Sequence, residues 1–96
     1  MKNLYYNLPN GRQYRIRYTK CPNRYLGDGN YVIENLVEVE HLGGAIAKEN
    51  PNGRWEFISY ADTLKDARET LCLFARHPAK DVAWLNQFLV SSKEED

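Results

Sequence analysis

In RQYRIRYTK, residues 12–20, cationic and aromatic side chains alternate along the chain. Arg15 and Arg17 are two positions apart, so an extended strand would project both from one side, about 7 Å from each other. Arg12 and Lys20 flank them, Tyr18 is adjacent, and Arg24 and Tyr25 follow shortly after. Guanidinium forks match carboxylates and phosphates, and phenol rings bury area or stack. Both protein-interaction surfaces and sheet-face nucleic-acid binders draw on this chemistry. Arg12, Arg15, Arg17, Tyr18, Lys20, Arg24 and Tyr25 are therefore the candidate binding residues. A structural alternative stands beside this reading. Glu34, Glu38 and Glu40 share one parity in the next apolar stretch, and cross-strand pairing with them would neutralise the arginines.

Other chemistries lack their residues or their spacing. The chain has two cysteines, Cys21 and Cys72, and two histidines, His41 and His77. No pair has the short spacing of a zinc site. Cys72 and His77 would diverge on a helix that turns about 100° per residue. Cys21 before Pro22 and His41 resemble no nucleophile–base signature. Asp28 and Asn30 fall short of a calcium loop, which needs further oxygen ligands. Neither glycine-rich phosphate loop is present. Glu38 and Glu40 have only the spacing of strand neighbours. The expectation is a protein that is not an enzyme and takes no metal or cofactor.

Ninety-six residues suit one domain. The formal net charge is zero but unevenly spread. Residues 1–30 hold six bases against the single acid Asp28, whereas residues 31–60 hold two bases against five glutamates. One face can thus be basic although the chain lacks the overall excess that drives strong nonspecific binding to nucleic acid. No run is long enough for a membrane helix, and residues 1–12 lack the apolar core of a secretory signal. The expected compartment is the cytoplasm, with both thiols reduced.

These groups need elements to position them. Residues 4–8 and 12–19 read as strands around Pro9-Asn10-Gly11, because Asn-Gly tolerates the positive φ of a tight hairpin turn. Residues 20–30 are rich in turn formers and read as a loop. Residues 31–41 read as a longer strand. Residues 45–50 and 54–60 read as a second hairpin around Pro51-Asn52-Gly53, with Trp55 and Phe57 on its buried side. The period then changes. Leu64, Ala67, Leu71, Phe74 and Ala75 form one helical face, with Asp62 or Thr63 as cap. Thr63 and Asp66 have capping-box spacing. A second helix is expected from Pro78, with Val82, Leu85, Phe88 and Leu89 as its apolar stripe and Trp84 at its edge. Strands followed by helices imply an α+β fold: an antiparallel sheet of about five strands with two C-terminal helices on one face. Residues 1–90 would form the domain and 91–96 a polar tail.

Pro-Asn-Gly-Arg occurs twice, at 9–12 and 51–54, followed by Ile and Tyr at equal offsets. Turn chemistry used twice explains this better than duplication. Trp55 and Phe57 align with Gln13 and Arg15, so burial of the two aromatics would invert the faces.

The segment GRWEFISYADTLKDARETL resembles the strand–capping box–helix joint of HicB-type antitoxins, and that of the arm-binding domains of phage integrases. The likeness rests on the helix start Thr-Leu-x-Asp-Ala and implies no site residues. The function expected is that of a small binding protein that regulates or inhibits a larger partner by covering its surface. A phage or mobile-element accessory protein acting on a nucleic-acid-processing enzyme is one setting for it. A nucleic-acid-binding module using the same basic, aromatic strand is the alternative.

Overall fold

The computed structural model describes residues 2–19 and 30–94. Its strands are β1 (Lys2–Asn7), β2 (Gln13–Tyr18), β3 (Tyr31–Val37), β4 (Arg54–Ala61) and β5 (Leu89–Glu94). Two α-helices, α1 (Gly44–Glu49) and α2 (Leu64–Phe74), and two 3-10 helices, η1 (Val39–His41) and η2 (Val82–Phe88), complete the chain. The strands form one antiparallel sheet in the order β4-β3-β2-β1-β5. Helices α2 and η2 pack against one of its faces. This is the α+β architecture that the pattern implies.

The first Asn-Gly turn is a hairpin turn. Gly11 has φ +82°, and the side-chain oxygen of Asn10 accepts from the Arg12 N–H at 2.9 Å. The second copy does different work. Residues 45–50, expected as a strand, lie in and just after α1, and Pro51-Asn52-Gly53 joins that helix to β4. Ala, Lys and Glu favour the helix, and the Asn50 amide closes it by donating to the Ile46 carbonyl at 2.9 Å. Gly53 is held in a left-handed conformation, φ +90°, with its missing Cβ only 2.7 Å from the Val37 carbonyl oxygen. Strand β4 therefore pairs with β3, not with 45–50.

Alternation in β1 to β3 sends Tyr6, Tyr14, Ile16 and Ile33 into the core, where they meet Ala67, Leu71 and Cys72 of α2 and Leu85 of η2. Tyr14 stacks on Phe74 with centroids 5.8 Å apart. Thr63 caps α2, its hydroxyl accepting from the Asp66 N–H at 3.0 Å. The far end closes when the His77 N–H reaches the Cys72 carbonyl at 2.9 Å and the Arg76 N–H reaches that of Leu73 at 3.0 Å. Arg76 takes the left-handed position, φ 58°, that this closure requires. Val82, Leu85 and Phe88 recur every three residues, the period of a 3-10 helix, and all three face the core. This helix starts at Val82, not at the expected Pro78, and Leu89, expected on the same stripe, is exposed as the first residue of β5. Arg68 ties the two helices by donating to the Val82 carbonyl at 3.1 Å and to the Asn86 side chain at 2.6 Å. Burial pushes the Tyr6 phenol above its ordinary pKa, and the nearby Arg68 opposes that shift in part. Burial likewise raises the Cys72 thiol, with Asp81 adding to the effect.

Three further local expectations change. The strand expected over 31–41 ends at Val37, so Glu38 and Glu40 leave the sheet for η1. The polar segment expected as a tail from 91 is in strand as far as Glu94. It pairs with β1 through Asn3↔Lys93 and Leu4↔Ser92, because the outer edge of β1 offers backbone partners whatever the side chains are. Third, Trp55 and Phe57, expected on the buried side, lie on the face away from the core, paired with Leu36 and Glu34. Among the described residues no helix is long and apolar enough to cross a membrane.

Candidate functional site

Among the described residues, helices α2 and η2 cover only one face of the sheet, and the register arranges the side chains of the other in rows. Arg17, Val32 and Tyr60 form one row across β2, β3 and β4. Tyr5, Arg15, Glu34 and Phe57 form the next, starting from β1. Leu36 and Trp55 continue the third. The face is thus aromatic as well as basic.

A bulge in β4 creates part of this arrangement. Glu34 pairs with Phe57, but Ile33 pairs with Ser59, leaving Ile58 as the extra residue. Alternation alone would send Phe57 and Tyr60 to opposite faces. The extra residue resets the parity, so Phe57 and Tyr60 share the open face with ring centroids 4.6 Å apart. Ile58 meanwhile packs on the core.

At the centre lies Glu34, only 8% exposed. One of its oxygens accepts from the Arg15 Nε at 2.7 Å and from the Arg17 Nε at 3.2 Å. A nearly buried carboxylate is tolerable here because two guanidinium groups satisfy it. Trp55 then leans over the pair. Its ring centre is 4.6 Å from the Arg15 guanidinium carbon, and its edge meets Tyr5 at 5.8 Å. Lys93 covers Tyr5 from the β5 side, 5.3 Å from the ring centre. The Tyr5–Arg15–Trp55 end of the face is consequently closed over by its own side chains. The other end is open. Phe57 is 50% exposed, and the Arg17 side chain is 39% exposed.

The sequence-derived candidates separate on this structure. Arg15 and Arg17 share the face, as their spacing requires. Tyr18 lies on the other side, pairing with Tyr31 across the helix-covered face with ring centroids 5.6 Å apart. Arg12 is exposed beyond the hairpin turn and lines a cleft of about 520 Å³ with Gln13, Asn35, Glu38 and His41. Lys20, Arg24 and Tyr25 lie outside the described residues. The base of their segment is closed by the Thr19 N–H donating to the Asn30 carbonyl at 2.8 Å. Of the three glutamates proposed as a ladder, Glu34 alone faces the arginines.

Trp55, Phe57, Tyr60 and Tyr5 were not among the candidates. One signal could have found Trp55 and Phe57, though not Tyr60, whose counterpart Tyr18 lies on the covered face, nor Tyr5, which is in neither copy. The two Pro-Asn-Gly-Arg copies align Gln13 with Trp55 and Arg15 with Phe57, and those pairs do share a face. The inversion inferred from the sequence rested on placing Trp55 and Phe57 in the core.

Glu38, Glu40 and His41 bring their ligand atoms within 4.8 Å of one another, the one grouping among the described residues spaced for a metal ion. All three are exposed in a single turn. The Glu40 carboxylate beside Glu38 raises the Glu38 carboxyl above its usual range, by hydrogen bonding first and then by charge. The chain matches no protein-family model, no curated protein and no solved structure.

Proposed function

We propose that this protein is a non-enzymatic binding protein whose uncovered sheet face docks on a partner protein and occludes the surface it covers. The supporting observation is the open end of that face, where Phe57 and Tyr60 stand in contact beside the half-exposed Arg17. Aromatic rings and arginine dominate binding energy at protein interfaces because they bury large areas at modest entropic cost. The closed end supports the same reading. Glu34 already holds Arg15 and Trp55 lies over it, so the side chains there are fixed before a partner arrives, which lowers the cost of ordering them. Regulation or inhibition of a larger enzyme by such coverage is the role this reading favours.

Affinity capture from the native host tests it. A partner retained by the wild-type chain should be lost from Phe57→Thr and from Arg17→Glu. Retention of the same proteins by all three chains would place the working surface elsewhere.

The second reading is single-stranded nucleic acid on the same face, favoured by two guanidinium groups against one carboxylate. It is the weaker one. Base stacking needs free ring faces, and Arg15 and Lys93 already lie over Trp55 and Tyr5. Anisotropy with labelled oligothymidylate separates the two. Phosphate contacts would give affinity that falls steeply with salt.

A further inference from the structure

We infer that the partner reaches the open end of this face with an extended acidic segment, placing one carboxylate on Arg17 and an apolar side chain on Phe57 and Tyr60. This rests on the protein-binding reading above and specifies the chemistry of what is bound. The argument begins with charge. Arg15, Arg17 and Glu34 together leave one positive charge. Arg15 cannot readily offer it outward, because its side chain is 19% exposed and Trp55 lies over its guanidinium. The uncompensated charge therefore resides on Arg17. Arg17 spends its Nε on Glu34 at 3.2 Å, and its two terminal nitrogens have no partner among the described residues. A guanidinium edge with two donors is matched by a carboxylate in bidentate geometry.

The apolar half follows from the register. Arg17, Val32 and Tyr60 lie in one row, so Tyr60 is two strands from Arg17, about 10 Å. Phe57 touches the Tyr60 ring. In an extended segment, side chains two positions apart share one face about 7 Å from each other, and the reach of Glu, Leu or Phe side chains covers the rest of the span. An Asp or Glu followed at that spacing by Leu, Ile or Phe would satisfy both points at once. The fixed carboxylate of Glu34 sets the sign and size of the ligand charge. A single carboxylate balances the one spare positive charge, whereas a phosphomonoester dianion would exceed it by one.

The test is selection of a phage-displayed library of random linear peptides on the full chain. Peptides carrying Asp or Glu two positions from an apolar residue should be enriched. A synthetic peptide of the recovered sequence should bind Arg17→Glu more weakly by about tenfold or more, the worth of a charge-assisted contact. The same peptide with its acid changed to Lys should regain affinity for Arg17→Glu. Arg17→Gln, which keeps a polar side chain of similar length, should give an intermediate loss, and circular dichroism of each variant confirms folding. Recovered peptides without acids whose binding is lost in Phe57→Thr would overturn the acidic chemistry and leave the protein-binding face standing. Peptides indifferent to both Arg17 and Phe57 would overturn both. Recovery of no binder would overturn the extended segment. Displacement of the peptide by oligothymidylate, with steep salt dependence, would overturn it in favour of phosphate.

Discussion

On the helix-covered face, Tyr6 and Tyr14 are 2% and 3% exposed and meet Arg68, Phe74 and the α2 residues. On the opposite face, Phe57 and Tyr60 make a comparable ring contact with nothing from α2 or η2 above them. The side chains are of one kind, and only the layer above them differs. Aromatic residues in a strand therefore say that a face is suited to burial. Which face is buried during folding depends on where the helices land. The face left over keeps its apolar surface for a later encounter.

The strongest test of this contrast is a cavity on the covered side. Leu85 is fully buried where η2 meets the sheet. Leu85→Ala should cost about 2–5 kcal/mol, the range for truncating a core leucine. Chemical denaturation would measure it. A cost similar to that of an open-face substitution would mean the two faces are not energetically distinct.

The next largest effect concerns the turn that sets β4 on its path. Gly53→Ala forces a left-handed alanine, costing about 1–2 kcal/mol, and adds a Cβ 2.7 Å from the Val37 carbonyl oxygen. Gly11→Ala shares the strained φ but meets nothing within 4 Å. Gly53→Ala should therefore be the more destabilising of the two and should disturb Trp55 fluorescence. Equal costs would show that strand β4, and hence the aromatic row it carries, does not depend on that close approach.

Much of this was legible. The first hairpin followed from Asn10-Gly11 and the start of α2 from Thr63 and Asp66. The presence of η2 followed from Val82, Leu85 and Phe88, but not its start at Val82 nor the place of Leu89 in β5. The shared side of Arg15 and Arg17 followed from period-two alternation. What was hidden has physical causes. Strand β5 reads as a polar tail because Ser91, Ser92 and Lys93 show no apolar alternation, and backbone pairing with β1 makes it a strand. Residues 45–50 fit a short helix or a strand, and local pattern does not decide between them. The extra residue Ile58 shifts parity in β4, and nothing in WEFISY announces a bulge. Hydrophobicity alone sends Trp55 and Phe57 to the core, and it does not reveal that β4 is an edge strand with these aromatic rings turned from the helices.

Glu34 is a point where the open face is tied together from within. Glu34→Gln removes the charge that holds both arginines and leaves one amide oxygen to accept from them. The expected loss is about 1–2 kcal/mol, near the lower end for hydrogen bonds to charged groups, because the Arg17 side is 39% exposed and solvent screens it. Thermal unfolding at low and high salt would separate a charge effect, which shrinks with salt, from packing. A loss as large as that of Leu85→Ala would make this face a second core.

The smallest expected change in stability is the most informative. Phe57→Thr keeps a residue suited to a strand and removes a ring that is already half in water. Among the described residues its ring partner is Tyr60, itself part of the open face. Stability should move by no more than about 0.5 kcal/mol, as for surface substitutions away from special features. Partner binding should nevertheless fall sharply, since a truncated aromatic anchor costs far more at an interface than at a free surface. Denaturation and affinity measured on the same preparation check the two halves together. A large stability loss with unchanged binding would assign Phe57 to the fold. The opposite pattern would identify a ring that folding leaves exposed and that a partner uses.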